Sequence, residues 1–364
     1  PRAGRRPRGL RAGVVARVAR IVGAGLASLL ALAVGWAWWG SRLPASYSAP
    51  AMGVPDYGGG TTSGTHGHVP LADVASVSVT GLVADPSRPA DVRVELAANA
   101  LRVRLPGGAQ FDGYTLNGAT PGPAIRAAVG QLVEVVLRNE DVAGGVTLHW
   151  HGLDVPNAMD GVAGVTQDAV RPGGSFTYRF VAERAGTYWY HSHQVSHAQV
   201  IGGLFGALVI DPPGPTASDA VVLLHTYPGT SRTLNGHLGA VRRDARPGEV
   251  VRVRVANTDN APTVVWVAGA PFRVLAVDGR DLVGPSPVEG RKVTVTAGGR
   301  ADLEVRVPDA GVRVQAPGVS LVLGPVGSDP PTAAAPAATL DLLTYGTPAS
   351  GTLSLIHISE PTRP

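Results

Sequence analysis

The chain has 364 residues, no cysteine, 48 glycines and 31 prolines, and a formal charge of +4. The missing thiol excludes disulfides, zinc-finger ligands, a cysteine nucleophile and any thiolate-ligated blue copper centre within these residues. The positive charge is concentrated: Arg2, Arg5, Arg6, Arg8, Arg11, Arg17 and Arg20 share residues 1–20 with no acid, and setting those seven aside leaves −3 for the rest. A mildly acidic body gives no reason to expect a nucleic-acid partner.

In chain order, the basic arm 1–20 precedes an uncharged run, 21–40, "IVGAGLASLLALAVGWAWWG". As a helix this run would measure about 30 Å, the thickness of a bilayer's hydrocarbon core. Trp36, Trp38 and Trp39 lie at its far end, where interfacial aromatics belong. It reads as a single-pass membrane anchor with the arm in the cytoplasm and everything beyond 41 outside. The rival is a cleaved signal peptide and a secreted protein, although a signal's apolar core is shorter. Residues 41–72, with "PDYGGGTTSGTHGHVP", form a Gly/Thr/Ser-rich linker. His66 and His68 sit there, either on a solvated stalk or as a loose metal-capturing segment.

From 73 the expectation is strands. "ADVRVELAANALRVRL" alternates apolar and polar residues, and "QLVEVVLRNE", "GGVTLHWHG", "GSFTYRFVA", "GTYWYHSH" and "GLFGALVIDPP" follow, each bounded by turn residues. A linker, "DPPGPTASD" (211–219), leads to a second strand series over 219–345. The strand ends "VVLRNED" and "RVRVANTD" match loosely, so the chain reads as two copies of one Greek-key sandwich, 73–213 and 219–345. The chain begins at Pro1 and closes on "SLIHISEPTRP". That tail, 354–364, resembles translated sequencing-adapter sequence. The expectation is an incomplete gene product whose tail, His357 included, is foreign.

Two histidine pairs carry the chemistry. On alternating strands, Thr147, His149 and His151 share one face, as do Thr187, Trp189, His191 and His193. Each pair projects two imidazoles the same way, roughly 6.5–7 Å apart. If the strands are neighbours, four imidazoles converge, and neutral imidazole is a favoured ligand of copper and zinc. The bland alternative is two chance pairs of structural histidines. A hydrolytic zinc site would want H-x-H-x-D-H, but Asp154 stands one position too late and no histidine follows it. Four imidazoles in two pairs suit a multinuclear copper site better than a single zinc.

"HWHG" with "YHSH" resembles the two N-terminal copper motifs of the multicopper oxidases, the laccase-like family. The likeness runs over roughly 75–345. It takes in "DGYTLNGATPGPAIRAAVGQLVEVVLRN", "DGVAGVTQDAVRPGGSFTYRFVAERAGTYWYHSH" and "GGLFGALVIDP", then "TLNG", "RVRVANTDNAPTVVWVAGAPFRVLAVDG" and "AGGRADLEVRVP". The linker's "DYGGG" is similar to membrane-anchored bacterial members. The resemblance implies an all-β fold of tandem cupredoxin-like sandwiches, the first with copper ligands and the second without. It implies that His149 binds a type 2 copper and His151, His191 and His193 a type 3 pair. Asp160, in "NAMDG", matches the acid that feeds protons to the cluster in several members. Its rival reading is an Asp-Gly turn residue.

The resemblance implies O2 and a small reducing substrate (a phenol, an aromatic amine or a low-valent metal ion) as partners. The family's third domain brings the type 1 copper cysteine and further cluster histidines, and these residues hold neither. The expectation is therefore half a trinuclear site, inactive alone. The alternative is a non-catalytic copper-binding or cupredoxin-like surface protein; two-domain nitrite reductases would keep a cysteine ligand. His225 and His237 read as structural or surface residues of the second sandwich, and Gln194 and His197 as supporting or surface residues.

Overall fold

The computed structural model describes residues 9–40, 81–85, 87–214 and 218–347, with side chains over 21–36 in the first of these segments. The chain divides into two units, Pro1–Ser48 and Ala49–Pro364. In the first, helix α1 (Gly9–Gly40) reaches back into the basic arm instead of starting at residue 21. The Ala, Leu and Arg content of 9–20 favours that extension. Among the described residues no helix is long and apolar enough to cross a membrane, so the membrane-spanning expectation for 21–40 finds no support. The linker 41–72 with His66 and His68, and the tail 354–364, lie outside the described residues.

The second unit is built from strands. Among the described residues the first strand of its first sandwich begins at Val92, and residues 73–80 lie outside the described residues. That sandwich comprises β1 (Val92–Arg104), β2 (Gln110–Leu116), β3 (Gly122–Ala128), β4 (Leu132–Asn139), β5 (His149–His151), β6 (Ser175–Val181), β7 (Gly186–His191) and β8 (Phe205–Asp211), with a short helix α2 (Ser196–Ile201) before β8. Two four-stranded sheets run β2-β1-β4-β6 and β3-β8-β7-β5. Neighbours out of chain order, such as the parallel pair β1 and β4, are what a Greek-key sandwich requires. Between the sheets lies a core of Leu96, Leu116, Val135, Trp150, Tyr178, Phe180 and Leu208.

The second sandwich takes up β9 (Asp219–His225), β10 (Thr233–Leu234), β11 (Gly239–Asp244), β12 (Val250–Asn257), β13 (Thr263–Ala268), β14 (Phe272–Val277), β15 (Arg280–Asp281), β16 (Lys292–Val295), β17 (Arg300–Arg306), β18 (Val312–Ala316) and β19 (Val319–Gly324). Its sheets run β10-β9-β12-β17-β14-β15 and β11-β19-β18-β13-β16 around a core rich in valine. Beyond the Ala/Pro run, Leu340, Leu342 and Tyr345 pack back on that core, and the Tyr345 hydroxyl donates to Ser286 O at 2.6 Å. The architecture is mostly β, with sheets consistent with cupredoxin domains.

The two "TLNG" copies form the same device. Asn117 and Asn235 adopt positive φ, 55° and 51°, and each amide side chain reaches back to the preceding strand. Asn117 accepts from Ala97 N and donates to Glu95 O, while Asn235 accepts from Leu223 N and donates to Val221 O. Asn tolerates this left-handed conformation better than most residues, which is why it recurs.

The sheet that carries the histidines is covered on both faces. Every residue of β7 and of β8 is buried. Tyr188, Tyr190, Leu208 and Ile210 face the first core. Trp189, Phe205 and Ala207 face the other way, onto Leu223, Tyr227 and Ala256 of the second sandwich. Beside this apolar contact runs a charge network, buried at Arg254, Thr187 and Asp302. Arg254 donates to Thr187 Oγ1 at 3.1 Å and to Asp219 at 2.6 Å; Thr187 donates to Asp302 at 2.9 Å; Arg126 pairs with Asp211 and Asp219. Both ends of the linker 211–219 are thereby pinned.

Candidate metal centre

The β5–β7 ladder decides where the imidazoles go. It is antiparallel, with His149 opposite His191 and His151 opposite Trp189. The same register sets Thr147 against His193, whose N–H donates to Thr147 Oγ1 at 3.1 Å. All four histidines therefore occupy one face. The second sandwich covers that face at Thr187 and Trp189. The pairs come together at a rim where β7 meets β5, the edge strand of its sheet.

Ring centroids stand 5.3 Å apart for His149 and His191, 5.2 Å for His149 and His193, 5.5 Å for His151 and His191, and 6.0 Å for His149 and His151. Nitrogens of His149, His151 and His191 lie within 4.8 Å of one another, close enough for one ion. His193 completes the ring group but falls outside that tighter set.

Hydrogen bonds fix which nitrogens face inward. His191 Nδ1 donates to Ser192 O at 2.9 Å, so its Nε2 carries the lone pair. His149 Nδ1 faces Asp160 O at 2.9 Å and Asp160 Oδ1 at 3.2 Å, which leaves its Nε2 free. Such outer partners set the tautomer and orientation of a ligating histidine. His151 Nδ1 stands 3.3 Å from His191 Nε2. Two nitrogens each about 2.0 Å from a tetrahedral ion would stand about 3.3 Å apart, so this pair already has the spacing of two ligands. The donor set, imidazole throughout, fits copper.

Burial keeps most of these rings neutral, as ligation needs. Burial, reinforced by the Arg300 charge and by the neighbouring histidines, pushes His151 down to about 4. His191, fully enclosed, is held well below the usual value for the same first reason, and His193 is lowered as well. His149 is the exception. Burial again opposes its charge, but the Asp160 carboxylate and carbonyl prevail and raise it. Asp160 is correspondingly lowered, chiefly by its bond to His149.

Asp160 lies in a turn beside His149. It closes a 3-10 turn, Asn157–Met159, held down by Trp150 Nε1, which donates to Met159 O at 2.9 Å. Gly161 follows with φ +72°, and a Cβ there would fall 1.8 Å from Leu148 O. The turn is thus a tight Asp-Gly turn that aims the Asp160 carboxylate at His149.

Among the described residues, His225 and His237 lie outside the group, while His197 lines a cavity with His151 and His191. His225 is buried in the second sandwich, with Nδ1 on Thr258 Oγ1 at 2.8 Å and Nε2 donating to Ile201 O at 3.4 Å. His237 is exposed. His197, on α2, touches Asn260 of the second sandwich. Gln194 is buried and donates to Gly144 O at 3.0 Å.

Sequence reasoning missed the turn Thr296–Arg300 of the second sandwich, which reaches the site. Gly298 O accepts from Trp189 Nε1 at 3.1 Å and from Arg300 at 3.3 Å. The only sequence trace of it is the Gly-Gly of "AGGRADLEV".

Residues 98–215 match the family model described as "Multicopper oxidase". The chain is 48% identical over 101 residues to an L-ascorbate oxidase of Cucumis sativus, covering 27% of this chain and 17% of that protein. It is 32% identical over 220 residues to Laccase-1 of Botryotinia fuckeliana, covering 52% and 38%. The chain thus spans well under half of these two relatives' length. Among solved structures it resembles a multi-copper oxidase from Pseudomonas thermotolerans with a TM-score of 0.59 and 29% identity, over 69% of each chain. In its matched segment, its sandwich fold and its converging histidine pairs, the chain is similar to the multicopper oxidases.

Proposed function

We propose that these residues hold one half of a multinuclear copper site of a laccase-like oxidase. His149 serves as a type 2 copper ligand, and His151, His191 and His193 as type 3 ligands. The observation that carries the reading is the ladder register, which sets His149 against His191 and brings four imidazoles to one rim. When bound, the coppers would supply one-electron redox chemistry and reduction of O2 to water. The chain's own residues do the rest: Asp160 and the Ser192 carbonyl hold two rings in their tautomers, and burial keeps three rings unprotonated.

The whole oxidase would draw electrons from a phenol, an aromatic amine or a low-valent metal ion. With no cysteine among the 364 residues, the thiolate copper and the remaining cluster ligands would come from polypeptide outside them. We place the sandwiches on the extracytoplasmic side, a reading that rests only on the basic arm and apolar run of 1–40. Four inward imidazoles with no thiolate also suit a non-catalytic copper-binding role for these residues by themselves.

Copper titration of the purified chain tests the reading. Substoichiometric uptake relative to three coppers is expected, without an intense blue band and without phenol oxidation above background. The His149→Ala/His191→Ala double variant should lose the tighter binding. Undiminished binding in that variant would remove the site from the rim, and sustained O2 consumption by the chain alone would show that it is no half-site.

A further inference from the structure

We propose that the Thr296–Arg300 turn of the second sandwich orients His151 toward the metal position, with Gly298 and Trp189 as its positioning residues. The inference rests on the copper reading above and assigns the ligand-free sandwich a part in the site.

His149 and His191 are each fixed by a hydrogen bond from the nitrogen that faces away from the group. Among the described residues, the one hydrogen bond of a His151 ring nitrogen is to His191 itself. Another force must hold that ring, and packing supplies it. The Trp189 indole lies against His151 with centroids 4.7 Å apart and planes 25° from parallel, and against His191 at 4.4 Å and 30°. Its Nε1–H is anchored on Gly298 O. Gly298 O also accepts from Arg300, whose Nε donates to Thr187 O at 3.2 Å. The turn is therefore tied to β7 at Thr187 and at Trp189.

Gly298 then closes on the imidazole. It is buried, with φ +69°, and a Cβ there would stand 2.7 Å from His151 Cε1 and 2.8 Å from Nε2. Real Cβ atoms do not come so near, so any larger residue must displace the ring. The backbone of the second sandwich presses one edge of His151 while the indole covers a face. Nδ1, the ring nitrogen farther from Gly298, is left toward His191 Nε2. A site built this way becomes competent only when the two sandwiches are docked.

A double-mutant cycle on the full chain tests this, with copper(II) alone titrated against a competing chelator. Gly298→Ala should weaken copper binding about tenfold, the usual scale for loss of an outer support. It should cost nothing further in a His151→Ala background, because the ring it acts through is gone. Trp189→Phe keeps a ring but loses the anchor to Gly298, and should give a smaller loss with the same dependence on His151; it carries the cycle if Gly298→Ala fails to fold. In the metal-free protein the His151 Hε1 resonance should move in both variants while that of His193 stays. Equal losses with and without His151, or unmoved His151 signals, would overturn the proposal. Absence of copper binding by the unmutated chain would instead overturn the copper reading, and the metal-free resonances would still decide the positioning.

Discussion

Asn139 and Asn257 end equivalent strands, β4 and β12, and each clamps the loops beyond with a buried amide. Asn139 donates to Val142 O and Val170 O at 3.0 and 2.8 Å. Asn257 donates to Ala261 O, Val295 O and Thr296 O at 2.9, 3.3 and 2.8 Å. Asn257→Ala would leave the buried Val295 carbonyl and the part-buried carbonyls of Ala261 and Thr296 without this partner. At roughly 1–3 kcal/mol for each such group, the loss should be on the order of 2–4 kcal/mol in urea denaturation. Thr296 opens the turn that reaches His151, so the same variant should also disturb the His151 ring resonances. Unchanged stability would show that water replaces the amide freely.

The repeated Asn explains how much of the fold was legible. "VVLRNED" and "RVRVANTD" share a residue because two sandwiches need the same clamp, and a shared need leaves a shared letter. The histidine face was legible for a similar local reason, since a strand's period of two puts His149 with His151 and His191 with His193. Contacts between the sandwiches were not legible. In "VVRVRVAN" the arginines alternate with valines, the pattern of a half-solvated strand, yet Arg254 is buried among Asp219, Asp302 and Thr187. Periodicity tells that a face differs from its opposite, and not whether water or another domain covers it. Gly298 and Trp189 fall in the same gap, because their roles depend on a partner far away in sequence.

His225 gives a pH dependence that can be isolated. It is wholly buried against Phe205 and Tyr227, and burial, only partly offset by Asp259, pushes it down to about 4. The unfolded chain would titrate it near 6.5. Between those values the unfolded state binds the extra proton, so stability rises with pH there. The contribution is fully present above about 6.5 and is lost as the pH falls toward 4, by on the order of 3 kcal/mol at most. Denaturation of the wild type and of His225→Gln at pH 7.5 and pH 4.5 should show the smaller acid loss in the variant. Carboxylate contributions are common to both and cancel in the difference. Equal losses would mean that His225 already carries its proton in the fold.

Asp160→Asn separates the two readings of that residue. Asparagine suits the Asp-Gly turn as well as aspartate does, so the fold should stand. The Asp160 backbone carbonyl would still accept from His149 Nδ1, and only the negative charge would go. The raised titration of His149 depends on that charge. A histidine raised in the fold stabilises it below the unfolded value near 6.5, and that stabilisation is lost as the pH rises through the folded value. The variant should lose this acid-side contribution, and its His149 ring should titrate lower in an NMR series. Copper affinity should fall, up to about tenfold, as for loss of a carboxylate behind a ligating imidazole. An unchanged His149 titration would leave Asp160 as a turn residue alone. In a copper-loaded whole oxidase the same variant distinguishes positioning from proton supply. Loss of positioning lowers copper content before turnover, whereas loss of a proton donor slows O2 reduction at full copper content.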